Sequence, residues 1–166
     1  MAKSPPVSGP GAQSKTLVCQ NRRAKHDITI EDRLEAGLVL VGTEVKALRA
    51  GQAHLNEAYV QIMGGNAVLI GGHIGEYSHG NQFNHAPSRS RRLLLNRKEI
   101  DKLERRLAQG GVTALPLSIY FDGRGRAKLE VGVGAGKSHR DRRQDIKARE
   151  ADREVARALQ KRNKGA

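Results

Sequence analysis

Between Thr16 and Gly136 the apolar residues come in short runs broken by Gly, Asn and Asp. That spacing predicts the strands of an antiparallel sheet or a small barrel. The runs are Leu17–Cys19, Ile28–Leu34, Gly37–Val41, Tyr59–Met63, Ala67–Ile74, Val112–Phe121 and Ala127–Val133. Two pairs are joined as hairpins, one through Gly64-Gly65-Asn66 and one through Asp122-Gly123-Arg124-Gly125, both rich in residues that tolerate positive φ. In the second hairpin Lys128 and Glu130 alternate with Ala127, Leu129 and Val131, so one face is wet. Two helices interrupt the strands. The shorter runs Thr43–Arg49 and stops at Gly51; the longer opens at Asn96, with Glu99 three residues on completing a capping box. Ile100, Leu103 and Leu107 then share one helical face, and Gly110-Gly111 ends it.

The pattern divides the chain into three parts. Residues 1–14 hold little beyond Pro, Gly, Ser and Ala and read as a disordered leader. Residues 15–136 form the mainly β body with its flanking helices. In residues 137–166 the character changes: from Lys137 to Lys164 there are eleven basic and five acidic residues, and the larger apolar side chains are only Ile146, Val155 and Leu159. Asp145 with Arg149, and Glu150 with Arg153, are spaced for helical ion pairs worth about 0.2–0.5 kcal/mol each. So thin a stripe predicts a tail that is disordered alone and becomes helical when a polyanion neutralises it.

Charge sharpens the picture. The 166 residues carry 30 Lys and Arg against 17 Asp and Glu, a formal +13, spread over the amino-terminal region, the middle and the tail. Nucleic acid is the partner such a distribution suits. Membrane-surface binding calls for Trp, Phe or Leu interleaved with the cations on one helical face, and the chain has no Trp and only Phe83 and Phe121. Cys19 is single, so an intrachain disulfide is excluded, as suits a reducing compartment. No apolar run follows the early lysine or approaches a bilayer span, and the expected location is the cytoplasm.

Two basic clusters stand out. His85–Ile100 reads HAPSRSRRLLLNRKEI, where Arg89, Arg91 and Arg92 run into three leucines. The leucines are expected to anchor the backbone by burial and leave the arginines on a rigid arm facing a polyanion. The second cluster is Arg22-Arg23-Ala24-Lys25-His26. Either could be a solvated face without a partner, but both coincide with a basic tail and a barrel-like core, the grooves of which serve RNA in oligonucleotide-binding folds. The shortage of aromatics argues against base stacking across a sheet and favours folded RNA read through backbone and shape.

Catalytic and metal readings fail on spacing. Gly132–Ser138 reads GVGAGKS, but a phosphate loop needs Gly where Val131 stands, so these glycines are expected to form a flexible exit from the barrel. His73, His79 and His85 with Glu76 fit no zinc spacing, and no nucleophile elbow is present. No catalytic residue, metal or cofactor is expected.

Taken in order, NRRAKHD, EAGLVLVGTEVKALRAG, HIGEYSHGNQFNHAPSRSRRLLLN and GVGAGKSHRDRRQDIKAREADREVARAL resemble the SmpB family over roughly Thr16–Leu159. The resemblance implies a closed antiparallel β-barrel of the oligonucleotide-binding (OB) type with two to three helices. It implies a non-catalytic monomer that binds the tRNA-like domain of transfer-messenger RNA (tmRNA) and carries it to ribosomes stalled without a stop codon. Elongation factor Tu and alanyl-tRNA synthetase would be met indirectly through tmRNA. The tail would enter the vacant mRNA channel of the small subunit near the decoding centre and become helical there.

Carried over by motif position, Glu35, Leu94 and Asn96 match positions the family needs for tmRNA. They join Arg22, Arg23, Lys25, His26, Arg89, Arg91 and Arg92 as RNA-binding residues. Asn96 has a second reading as a helix cap and Leu94 as core. Glu35 cannot attract phosphate, so it orients a basic neighbour or accepts from a 2′-hydroxyl or base amino group. In the tail, Lys137, His139, Arg140, Asp141, Arg142, Arg143, Ile146 and Lys147 are the ribosome-contacting residues the resemblance implies. Arg140 stands where the family places an aromatic or His ring before Asp141, and Ser138 replaces a second Lys. Two other readings remain: a small RNA-processing or RNA-modifying enzyme on a similar barrel, and a general basic ribosome-associated protein.

Overall fold

A computed structural model describes residues 15–164, so the expectation for the leader falls outside the described residues. The body strands are β1 (Thr16–Gln20), β2 (Ile28–Leu38), β4 (Tyr59–Met63), β5 (Asn66–Ile70), β7 (Arg91–Leu94), β8 (Val112–Phe121) and β9 (Ala127–Gly136). Every pairing among them is antiparallel. The hydrogen-bonded neighbours run β8-β4-β5-β7-β2-β9 and return to β8, closing a ring, while β1 shares the edge of β8 with β4. Closure leaves the ring strands without an open edge. Inside lie Ala36, Leu69, Leu93, Ile119, Leu129 and Val131, all buried.

Local chemistry explains the strand limits. Gly64 and Gly65 both have positive φ, the geometry of a type I′ hairpin between β4 and β5. The run predicted as Ala67–Ile74 is cut at Gly71 (φ +73°), where a Cβ would sit 3.0 Å from the Glu57 carbonyl oxygen. Beyond that turn β6 (His73–Ile74) leaves the ring and pairs with β3 (Ala53–His54). The run predicted at Ile28–Leu34 and the first two residues of Gly37–Val41 belong to one strand, held by β9 from Ile28 to Gly37, and Val39–Val41 lie beyond its end. The glycines expected to form a flexible exit lie within β9 instead. At Gly134 a Cβ would fall 1.8 Å from the Thr29 carbonyl oxygen, so the side chain is missing to let β2 and β9 close.

The helices are α1 (Ala24–Asp27), α2 (Gly42–Arg49), α3 (Arg97–Ala108) and α4 (His139–Lys164). At the start of α3 the Asn96 N–H donates to Glu99 at 2.9 Å, and Ile100 and Leu103 are buried as their spacing predicts. Beyond the body the tail forms one continuous helix, α4. Its first turn is held by Ser138, whose hydroxyl accepts from the Asp141 N–H at 3.2 Å, and by Lys137, whose N–H donates to Asp27 O at 2.9 Å. Among the described residues no helix is long and apolar enough to cross a membrane.

Candidate nucleic-acid interface

Glu35 and Leu94, distant in sequence, come together where β7, β2 and β9 run side by side, and Asn96 follows two residues beyond Leu94 as the cap of α3. Leu94 pairs with Gly37, and Gly37 pairs with Lys128. Because alternate strand residues share a face, Glu35 and Gly37 point outward while Ala36 and Leu38 enter the core. A Cβ on Gly37 would lie 3.2 Å from that of Leu94, so glycine there lets the strands seat Leu94 closely. Leu94 is 54% exposed and not core. With Leu40, Val45, Phe121, Arg126 and Lys128 it lines an open depression of about 380 Å³.

Glu35 is an organiser of cations. Its carboxylate accepts from the Tyr120 hydroxyl and from Lys15 Nζ at 3.3 Å, with Lys128 Nζ at 3.9 Å. The Tyr120 hydrogen bond, then Lys15 and Lys128, holds the Glu35 carboxyl below its ordinary range. Burial and the facing Glu35 push the Tyr120 phenol up to about 12. In an alkaline titration followed by tyrosinate absorbance, the signal removed by Tyr120→Phe is expected to titrate at about 12. Glu35→Gln, which removes the neighbouring negative charge, should bring that transition to lower pH; an unmoved transition would deny the contact.

The arginine arm differs from its sequence reading. Residues Arg91–Leu94 are themselves a strand, so their side chains alternate and only Arg92 and Leu94 face outward. Arg91 turns inward and is 0% exposed, and cannot present charge to a polyanion. Its Nε donates to Glu44 at 2.9 Å, and its terminal nitrogens donate to the carbonyls of Gly72 (2.7 Å), Arg89 (2.9 Å) and Pro87 (3.0 Å). Arg89, half-buried, grips the same carboxylate through Nε (2.7 Å) and a terminal nitrogen (2.6 Å). Glu44, also fully buried, in turn accepts the Val41 N–H at 2.9 Å ahead of α2. Burial alone would raise its pKa; Arg89, the Val41 N–H and Arg91 outweigh burial and hold it down.

The second cluster stands elsewhere. At roughly 3.3 Å per residue, Ile28 and Gly37 lie about 30 Å apart along β2, and α1 sits at the Ile28 end. Arg22, Arg23 and Lys25 are exposed there and His26 is half-buried. This end carries the root of α4. Lys137 Nζ donates to Lys25 O at 3.0 Å and pairs with Asp145, and Arg149 reaches the His26 ring. Asp145 thus meets Lys137 in place of the Arg149 its spacing suggests, and Lys137 holds its carboxyl low. Arg140, Arg143, Gln144 and Lys147 share one side of α4. Asp141 and Ile146 are exposed and Arg142 is half-buried, while the His139 side chain is outside the described residues.

The model of the SmpB protein family matches residues 18–161 of the chain. The chain belongs to the SmpB family. An SsrA-binding protein of Moorella thermoacetica is 48% identical over 154 residues, covering 93% of this chain and 99% of that protein. One from Thermobifida fusca is 52% identical over 150 residues, covering 90% and 93%. A chain of the solved structure described as "tmRNA-SmpB: a journey to the center of the bacterial ribosome" aligns with TM-score 0.62 at 40% identity, covering 73% of this chain and 85% of that one.

The SmpB match spans both ends of β2, the outward face around Leu94 and the rooted tail. Sequence reasoning missed Lys15, Tyr120 and Lys128, the residues around Glu35; only the alternation of Lys128 with buried neighbours marked one of them. The histidines do not converge. His85 is buried, donating from Nε2 to the Ile74 carbonyl (2.9 Å) and paired through Nδ1 with the Thr43 hydroxyl (2.9 Å). His73 stacks on His54 with ring centroids 4.4 Å apart. Among the described residues no group of three or more His, Cys, Asp or Glu could hold a metal ion.

Proposed function

We propose that the chain binds the tRNA-like domain of tmRNA on the outward face formed by β2, β7 and β9 and delivers it to ribosomes stalled without a stop codon. In this reading α4 enters the empty mRNA channel of the small subunit beside the decoding centre, and elongation factor Tu and alanyl-tRNA synthetase are met only through tmRNA. The observation that carries it is the family match from residue 18 to 161, which takes in both surfaces at once. Closure of the strand ring supports reading the body, residues 15–136, as an OB-like barrel, with residues 137–166 as a separate tail. Arg92, Lys128, Arg126 and Arg97 supply charge for the RNA backbone, while Glu35 sets the positions of Lys15 and Lys128. The work is binding and positioning by a cytoplasmic monomer, with no reacting group. Burial pushes the Cys19 thiol up, away from the thiolate a nucleophile needs.

In a mobility-shift assay, labelled tmRNA should be retarded, unshortened and chemically unaltered, and the complex should survive excess ordinary tRNA. Arg92→Ala should lower the slope of log affinity against log salt by about 0.7–0.9. Displacement by tRNA would reduce the chain to a general basic ribosome-associated protein. Shortened or altered RNA would make it an enzyme.

A further inference from the structure

Phe83 is 80% exposed, the most exposed of the large apolar side chains among the described residues. It stands on a loop that is tightly fixed. Asn84 bridges Tyr77 in both directions, donating to its carbonyl at 2.7 Å and accepting its N–H at 2.9 Å. The Gly80 N–H donates to Tyr77 O (2.9 Å), and the Phe83 N–H to Gly80 O (3.0 Å). A Cβ on Gly80 would strike Asn84 Nδ2 at 2.7 Å, and Asn81 holds a positive φ of 45°, a conformation a non-glycine residue adopts at a cost. A loose loop would fold such a ring against the body. Here local strain and three-way hydrogen bonding hold it in water.

The surroundings specify what the ring meets. Phe83 lines an open depression of about 620 Å³ with Val41, Thr43, Lys46 and Arg89. Lys46 is exposed, its ammonium 5.2 Å from the centroid of the Tyr77 ring. Glu44 is buried and shared by two arginines, and the described residues that line the depression include Lys46 and Arg89 but no acid. The preceding residue of α2, Val45, lines the depression that contains Leu94 and Lys128, so the two surfaces adjoin across one helix. A flat apolar ring beside cations, contiguous with an RNA-binding face, suits an unpaired base whose phosphate lies over the cations.

We propose that Phe83 is a stacking site for one unpaired base of the bound RNA, with Lys46 placed on that nucleotide's phosphate. This rests on the RNA-binding reading above and extends its surface around α2. The base comes from tmRNA or from ribosomal RNA, and two assays separate them. The full-length chain and its Phe83→Ala, Phe83→Leu, Phe83→Trp and Lys46→Ala variants would be titrated against tmRNA and, separately, against ribosomes stalled on nonstop mRNA. In the arm that supplies the base, Phe83→Ala and Phe83→Leu should each weaken binding by roughly ten-fold, with Phe83→Trp close to wild type. The salt slope should be unchanged for Phe83→Ala and lowered by about 0.7–0.9 for Lys46→Ala. Wild-type affinity of Phe83→Ala in both arms overturns the stacking site and leaves the tmRNA reading standing. Retention by Phe83→Leu equal to that of Phe83→Trp overturns it too, since a generic apolar plug is not a stack. Failure of the wild-type chain to bind tmRNA overturns the function itself.

Discussion

Glu44→Ala should destabilise the body by about 3–5 kcal/mol, because it strands a buried guanidinium. Arg91 would keep its three backbone carbonyls but lose its ion-pair partner, and Arg89 would lose both of its carboxylate hydrogen bonds. Against a typical total of about 5–15 kcal/mol, such a loss shows as a large fall in the urea midpoint. Arg91→Ala should cost a comparable amount, leaving a buried carboxylate short of a partner. The two losses should not add, since each single change already breaks the same network. The pH dependence has a definite sign. The folded carboxyl lies below its ordinary value of 4.5, so its contribution is complete above that pH and is lost as pH falls through the folded pKa. The stability gap between wild type and Glu44→Gln should therefore narrow on acidification. A constant gap down to strongly acid pH, or a Glu44→Ala protein as stable as wild type, would refute the role given to this network.

Truncation after Gly136 should leave the melting transition within about 1 kcal/mol of wild type yet abolish tagging of nascent chains on nonstop mRNA. Among the described residues the buried cluster draws on none of α4, and the tail's ties to the body include Lys137 to Lys25 and Asp27 and Arg149 to His26. These contacts lie at the half-exposed rim of the body and are of small net worth. Affinity for tmRNA should fall slightly at low salt through lost long-range charge and recover as salt screens it. Asp141→Ala with Arg142→Ala and Arg143→Ala in the full chain should reproduce most of the tagging defect. In a reconstituted translation reaction, normal tagging by the truncated protein would sink the division of labour between body and tail.

The chain's own periodicity carried much of the fold. Val112–Phe121 and Tyr59–Met63 are strands at their predicted limits, and α3 starts and stops where Asn96, Glu99 and Gly110-Gly111 place its signals. These are local effects: a hairpin glycine, a capping carboxylate or an alternating strand acts within a few residues. Four motifs in order also sufficed to point to the SmpB family. Harder to read were β7 and α1, too short to show a period, and the break at Gly71, which depends on the Glu57 backbone across a turn.

What only the tertiary structure decided is the fate of like residues in one run. Arg91 and Arg92 are adjacent and chemically identical, and nothing in one dimension says which is inside. Closing β7 between β5 and β2 sets the parity, burying Arg91 on Glu44 and leaving Arg92 with Leu94 on the outward face. The same closure turned Glu35 from an isolated acid into the centre of Lys15, Lys128 and Tyr120, while the Arg22–His26 cluster stands at the other end of β2, at the root of the tail. Composition and pattern determine that a positive, mainly β chain of this kind will exist; which charges face a partner and which hold the core is a property of strand register, settled only when distant segments pair.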